Sequence, residues 1–132
     1  MTVLFFDRQE LSNPMNGLRI KSKTELDEAL EKLENREPFS FELVGENGYK
    51  LLVGFGKAIG CVQHSRTDGD TPYLMAIAPS AWEAKDYFEF LAGDTPTPMS
   101  KRYCLPWEQV KQIVAYFLET GDRSPDISWE EI

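Results

Sequence analysis

Histidine, cysteine and long apolar runs are nearly missing from this chain of 132 residues. His64 is the only histidine, and Cys61 and Cys104 are the only cysteines. No second histidine and no Cys-x-x-Cys pair accompanies them, so neither a zinc site nor any other cofactor is expected. The two cysteines stand far apart in sequence and read as buried free thiols of a reducing compartment. No segment approaches the roughly 20 apolar residues of a membrane span. The apolar start, Val3 to Phe6, is cut by Asp7 and Arg8 and is too short for a signal peptide, so the expected location is the cytoplasm. Basic residues are scarce as well: 14 Lys and Arg face 22 Asp and Glu, a net charge of −8. The imbalance is uneven, with eight basic and ten acidic residues in 1–65 (net −2) against six and twelve in 66–132 (net −6). Direct nucleic-acid binding is disfavoured, because phosphate neutralisation needs Lys and Arg clusters. A basic protein partner is favoured instead, since opposite potentials speed association and select partners.

What is present is an ordinary globular pattern. Leu4-Phe5-Phe6 reads as a strand, and the Ser12 to Gly17 stretch as a loop. Ser22-Lys23-Thr24-Glu25 is a capping box, in which the Ser hydroxyl and the Glu carboxylate each accept from a free N–H. Leu26, Ala29, Leu30 and Leu33 then form the apolar stripe of a helix ending near Asn35. Phe39 to Leu43 alternates with period two, and Glu46-Asn47-Gly48 is the strongest hairpin signal in the chain. Strands are expected at Tyr49 to Phe55, from Ile59 through Val62, and at Tyr73 to Ala78. Tyr87 to Leu91 either continues the sheet or belongs to a short helix from Ser80. Gly93 to Pro98 reads as a loop, and Lys101 to Leu105 as a short strand. The expected architecture is α+β: an antiparallel sheet of five or six strands, with an N-terminal and a C-terminal helix on one face. Residues 1–132 are expected to form one domain.

The most explicit segment runs from Leu105 to Glu130. Pro106 suits a first helical turn and Glu108 complements the positive helix end. Val110, Ile113, Val114, Phe117 and Leu118 make one apolar face, Gly121 is a left-handed stop, and Pro125 prevents a restart. Asp126-Ile127-Ser128-Trp129 alternates like a closing strand. Leu105-Pro106, the Phe117 to Gly121 turn, Arg123, Pro125 and Ile127-Ser128-Trp129-Glu130 resemble the C-terminal signature of a bacterial immunity family. It is the family numbered one among the Imm proteins of polymorphic toxin systems. Leu51 to Gly56 with Gly60-Cys61-Val62 is similar to that family's central hairpin. The family usually has Arg and Pro adjacent, whereas Ser124 separates them here. The resemblance implies a small α+β protein that binds and silences a toxin, often a nucleic-acid deaminase.

Other constellations have plainer explanations. Gly54-x-Gly56-x-x-x-Gly60 lacks dinucleotide-loop spacing and reads as hairpin or bulge glycines. Glu42, Glu46, Asp68 and Asp70 sit near expected turns, where solvated charge is normal, and no pocket is indicated that would split their pKa values. Ser65 and Ser80 have no nucleophile elbow around them, and His64, which would have to serve as the only imidazole base, reads as a surface or strand residue. Trp129 is expected beneath the last helix and Trp107 at the edge of the core. Trp82 reads equally as core or as contact.

An acidic surface of Asp68, Asp70, Glu83, Asp86, Glu89 and Asp94, with Trp82 as aromatic anchor, is therefore the expected partner site. It would meet the basic, phosphate-binding cleft of a toxin and occlude it, without catalysis or cofactor in this chain. Two alternatives stand beside this one. The first is an acidic regulatory adaptor unrelated to toxins; the second is a small enzyme using His64.

Overall fold

Alternating apolar strands joined by tight turns dictate an antiparallel sheet, and the chain forms one. The computed structural model describes residues 2–7, 10–33, 39–56, 59–78, 87–92 and 95–132. Its elements are β1 (Val3–Phe6), β2 (Arg19–Ile20), α1 (Lys23–Leu33), β3 (Phe39–Gly45), β4 (Tyr49–Gly56), β5 (Ile59–Arg66) and β6 (Leu74–Ile77). There follow β7 (Tyr87–Ala92), β8 (Thr95–Ser100), a 3-10 turn at Lys101–Tyr103, β9 (Leu105–Pro106), α2 (Trp107–Thr120) and β10 (Ser128–Glu131). Eight strands form one sheet in the order β10-β6-β5-β4-β3-β1-β2, with β9 also paired to β5. The α+β architecture is the expected one, with more strands than the five or six anticipated. The extra strands in the main sheet are the two-residue β2 and β9, too short to show a period in sequence, and β8 is obscured by its prolines.

The helices form where their signals stand. The amide of Glu25 donates to Ser22 Oγ at 3.2 Å, and Ser22 Oγ and the Lys21 amide donate to Glu25 Oε1. Leu26, Ala29, Leu30 and Leu33 are buried, as are Val110, Ile113, Val114, Phe117 and Leu118, and both stripes join one core with the sheet. The capping box and the two stripes together fix how each helix lies. Gly121 ends α2 in the left-handed conformation (φ 77°), its N–H donating to the Phe117 carbonyl.

Three segments differ from the sequence reading. Tyr87–Ala92 does not join the main sheet; β7 pairs with β8 in a separate hairpin that lies against β3 and β4. The expected loop at Gly93 to Pro98 is mostly β8. Pro96 and Pro98 stand two apart, so their missing N–H groups fall on one side of the strand and leave the other free to pair. Lys101 to Leu105 is a 3-10 turn followed by a two-residue strand against Ile59 and Gly60, because Pro106 breaks the ladder and opens α2. The rival helix from Ser80 lies outside the described residues.

The outer edge of β5 is shared. Gln63 and His64 pair with β6, while Ile59 and Gly60 pair with β9. Extending the β5–β9 register by one residue sets Cys104 opposite Cys61, and both free thiols are buried with Met75. Burial, reinforced by the neighbouring Cys104, pushes the Cys61 thiol up to about 12. Gly60 has a different task. A Cβ there would stand 2.9 Å from the Gly54 carbonyl and 2.9 Å from Val110 Cγ2, so its bare backbone lets α2 settle on the sheet.

Candidate partner-binding site

Of the seven residues expected to bind a partner, Asp68 and Asp70 are brought together, in the exposed turn after β5. Arg66 Nη2 donates to Asp68 Oδ2 at 2.5 Å, and the Asp70 amide donates to Asp68 Oδ1 at 2.9 Å. These donors, the Asp70 amide foremost, hold the Asp68 carboxyl below its ordinary range. The ion pair is exposed and solvent-screened, so Asp68 keeps its charge with Arg66 beside it, while Asp70 has no cation paired to it among the described residues. Glu89 is carried on β7, in the separate hairpin. Trp82, Glu83, Asp86 and Asp94 lie outside the described residues.

The carboxylates weighed for acid–base work do not converge. Glu42 is not at a solvated turn: it is buried in β3 and accepts from Lys50 Nζ at 2.8 Å. Glu46 Oε1 accepts from the Thr2 amide, and Asp68 is committed to Arg66. Among the described residues no group of three His, Cys, Asp or Glu side chains is arranged to hold a metal ion.

A depression of about 330 Å³ opens where Tyr49, His64 and Pro72 meet the end of α2. Three chain reversals build it: the β3–β4 turn with Asn47 and Tyr49, the β5–β6 turn with Pro72, and the end of α2 from Thr120 to Arg123. They are tied to one another. Asn47 Nδ2 donates to the Gly121 carbonyl at 2.7 Å, and the Thr67 amide donates to the Gly48 carbonyl at 2.9 Å. The helix stop at Gly121 is thus also the anchor of the hairpin turn opposite.

His64 lines this depression from β5 and is only 5% exposed. Its ring stacks on Tyr49 with centroids 5.0 Å apart and 24° between planes. Phe117 and Trp129 meet it edge-on at 5.9 and 6.3 Å. Neither ring nitrogen has a hydrogen-bond partner among the described residues, and Nε2 is completely enclosed. Burial is the main cause that lowers its pKa, the Arg123 charge adds to it, and Asp122 opposes. On balance the imidazole is shifted toward its neutral form. The expectation of a strand residue is met and that of a surface residue is not. The signal was its phase: His64 is two residues from Val62, on the inward face of β5.

The other tryptophans are structural. Trp107 is buried, tilted against Phe55 at 5.1 Å. Trp129 is half-buried against the core, and its Nε1 donates to the Ser124 carbonyl at 3.1 Å. Ser124, the residue separating Arg123 from Pro125, is buried, and its Oγ accepts from the Asp126 amide. The separating residue therefore helps seat Trp129.

A second, wider groove of about 550 Å³ runs between α1 and α2, lined by Asp27, Glu31 and Glu108 and by Lys23 and Lys111. Its charges are mixed, with Glu108 and Lys111 paired at 3.1 Å. Exposed helix flanks of this kind are ordinary solvated surface.

The chain is thus an acidic α+β protein with a shallow depression beside His64. The chain belongs to the family described as Immunity protein Imm1, whose model matches residues 15–131. An immunity protein binds a cognate toxin protein, and that partnership follows from the family. No curated protein matches the chain. Among the described residues no helix is long and apolar enough to cross a membrane.

Proposed function

We propose that this chain neutralises a nucleic-acid deaminase toxin in the cytoplasm by occupying its substrate cleft as a preformed single domain. Family membership across residues 15–131 carries the immunity reading. The net charge of −8, concentrated in residues 66–132, supports the mode of action. A toxin that handles nucleic acid must be basic around its active site to hold phosphates. An acidic plug competes for the same field, and its long-range attraction speeds encounter. The surface proposed to meet the toxin is Asp68, Asp70, Trp82, Glu83, Asp86, Glu89 and Asp94. Any catalytic zinc belongs to the toxin, and inhibition is steric.

Co-expression with a candidate deaminase toxin, chosen by adjacency of its gene, tests this directly. Cells survive induction of the toxin only when this chain is present, and undiminished killing in its presence would defeat the proposal. Replacing Asp70 and Glu83 by Lys is expected to slow association by about tenfold at low salt and to flatten its salt dependence. An unchanged on-rate would place the contact surface elsewhere while leaving immunity intact.

A further inference from the structure

We infer that the depression between the β3–β4 turn, the β5–β6 turn and the end of α2 is an anchor site for one basic side chain of the partner, an arginine or a lysine packed against Tyr49. The inference rests on the immunity reading for the partner's identity, and on the geometry alone for the chemistry.

Three features select a cation. The first is α2 itself, a helix of 14 residues whose negative end opens onto the site and whose last turn has no basic residue. The second is Tyr49, which stacks on His64 yet keeps 38% of its surface exposed, so the ring offers a face to a cation. The third is the carboxylate of Asp122 on the rim, with Asp70 two residues from the Pro72 wall. A separate observation marks the place as a site. His64 is a buried side chain with no hydrogen-bond partner among the described residues, although a structural histidine normally has its nitrogens satisfied. An imidazole shifted toward its neutral form lets a cation approach the adjoining Tyr49 ring without repulsion.

Arg66, opposite Tyr49 on β5, is paired with Asp68, while Arg123 is the opposing charge on the rim. Among the described residues no carboxylate pairs with its guanidinium, and it is exposed on a flexible stem. A bound cation displaces it outward. This gives the inference a sign that an anion site would reverse: deleting Arg123 strengthens binding of a cation and abolishes binding of an anion.

The test titrates the full chain with N-acetyl-arginine methylamide at constant ionic strength, following backbone and aromatic resonances by NMR. The glutamate and norleucine analogues serve as comparison probes. Saturable shifts at Tyr49, His64 and Gly121 are expected with the arginine probe alone. Arg123→Ala should tighten its binding about two- to threefold, and Tyr49→Leu should weaken it about three- to fivefold. Silence at these residues up to the solubility limit overturns the inference. So does an equal response to norleucine, or binding of the glutamate probe that disappears in Arg123→Ala. In the toxin assay, Tyr49→Leu is expected to lower affinity for the toxin about tenfold. Full affinity in that variant removes the anchor but not immunity. Failure of the unaltered chain to protect removes immunity, while the probe titration still decides the site.

Discussion

Replacing His64 by Phe perturbs the most unusual residue of the fold. The imidazole stands among Tyr49, Phe117 and Trp129 with Nε2 enclosed and unpartnered. A buried polar atom without a partner costs about 1–3 kcal/mol. Phenylalanine keeps the ring and deletes that atom; its slightly larger volume takes back about 1 kcal/mol through tighter packing. The net expectation at pH 7.5 is a gain of about 1 kcal/mol, or about 4 °C in Tm for a chain of this length. A pH dependence accompanies it. The folded pKa of His64 lies below its ordinary 6.5, so the unfolded chain binds the proton more readily. Stability is thus fully present above pH 6.5 and is lost as pH falls from there toward the lowered value. His64→Phe removes that loss, and its advantage should widen as the pH falls. Urea denaturation at pH 7.5 and at pH 5.5 reads both effects. A variant less stable than the natural chain at pH 7.5, or an advantage identical at the two pH values, would refute the reasoning.

Two further predictions concern how the helices are held. Gly60→Ala puts a methyl group 2.9 Å from both the Gly54 carbonyl and Val110 Cγ2, and should destabilise the protein by about 1–3 kcal/mol in denaturant titration; an unaltered midpoint would mean that α2 slides freely on β5. Ser22→Ala should lose about 1 kcal/mol and Ser22→Gly only a few tenths. If the two substitutions weaken the protein equally, the Ser22 hydroxyl is not capping α1.

The helices and the central hairpins were readable because each has a local cause. Ser22 with Glu25, the stripes of α1 and α2, the Asn47 turn and the stop at Gly121 all act within a few residues of themselves. A strand at Tyr87 to Leu91 was one of two readings, but its pairing with β8 in a separate hairpin was not readable. Pro96 and Pro98 are loop residues by composition, and only the partner strand reveals that one side of β8 can still pair. His64 was partly readable: its strand was foreseen, but its burial depends on aromatic rings contributed by β4, α2 and β10, which no window around residue 64 contains. Asp68 and Asp70 were foreseen as exposed acids at a turn, and they are. That Arg66 pairs with Asp68 follows from strand geometry two residues away. The depression itself joins residues near 48, 72 and 121, so no single stretch of sequence could announce it.

The opposed cysteines at the β5–β9 edge have a practical consequence. A thiol held near 12 and walled in by Met75 and its twin has almost no thiolate to offer a labelling reagent. The same side chain regains ordinary reactivity once the chain opens. Because β5 lies inside the sheet, that opening is close to complete unfolding. The natural sequence therefore contains its own chemical clock: the pace at which Cys61 is modified reports how often the molecule comes apart. Slowing of that pace by added toxin would measure complex formation without any dye, tag or engineered residue.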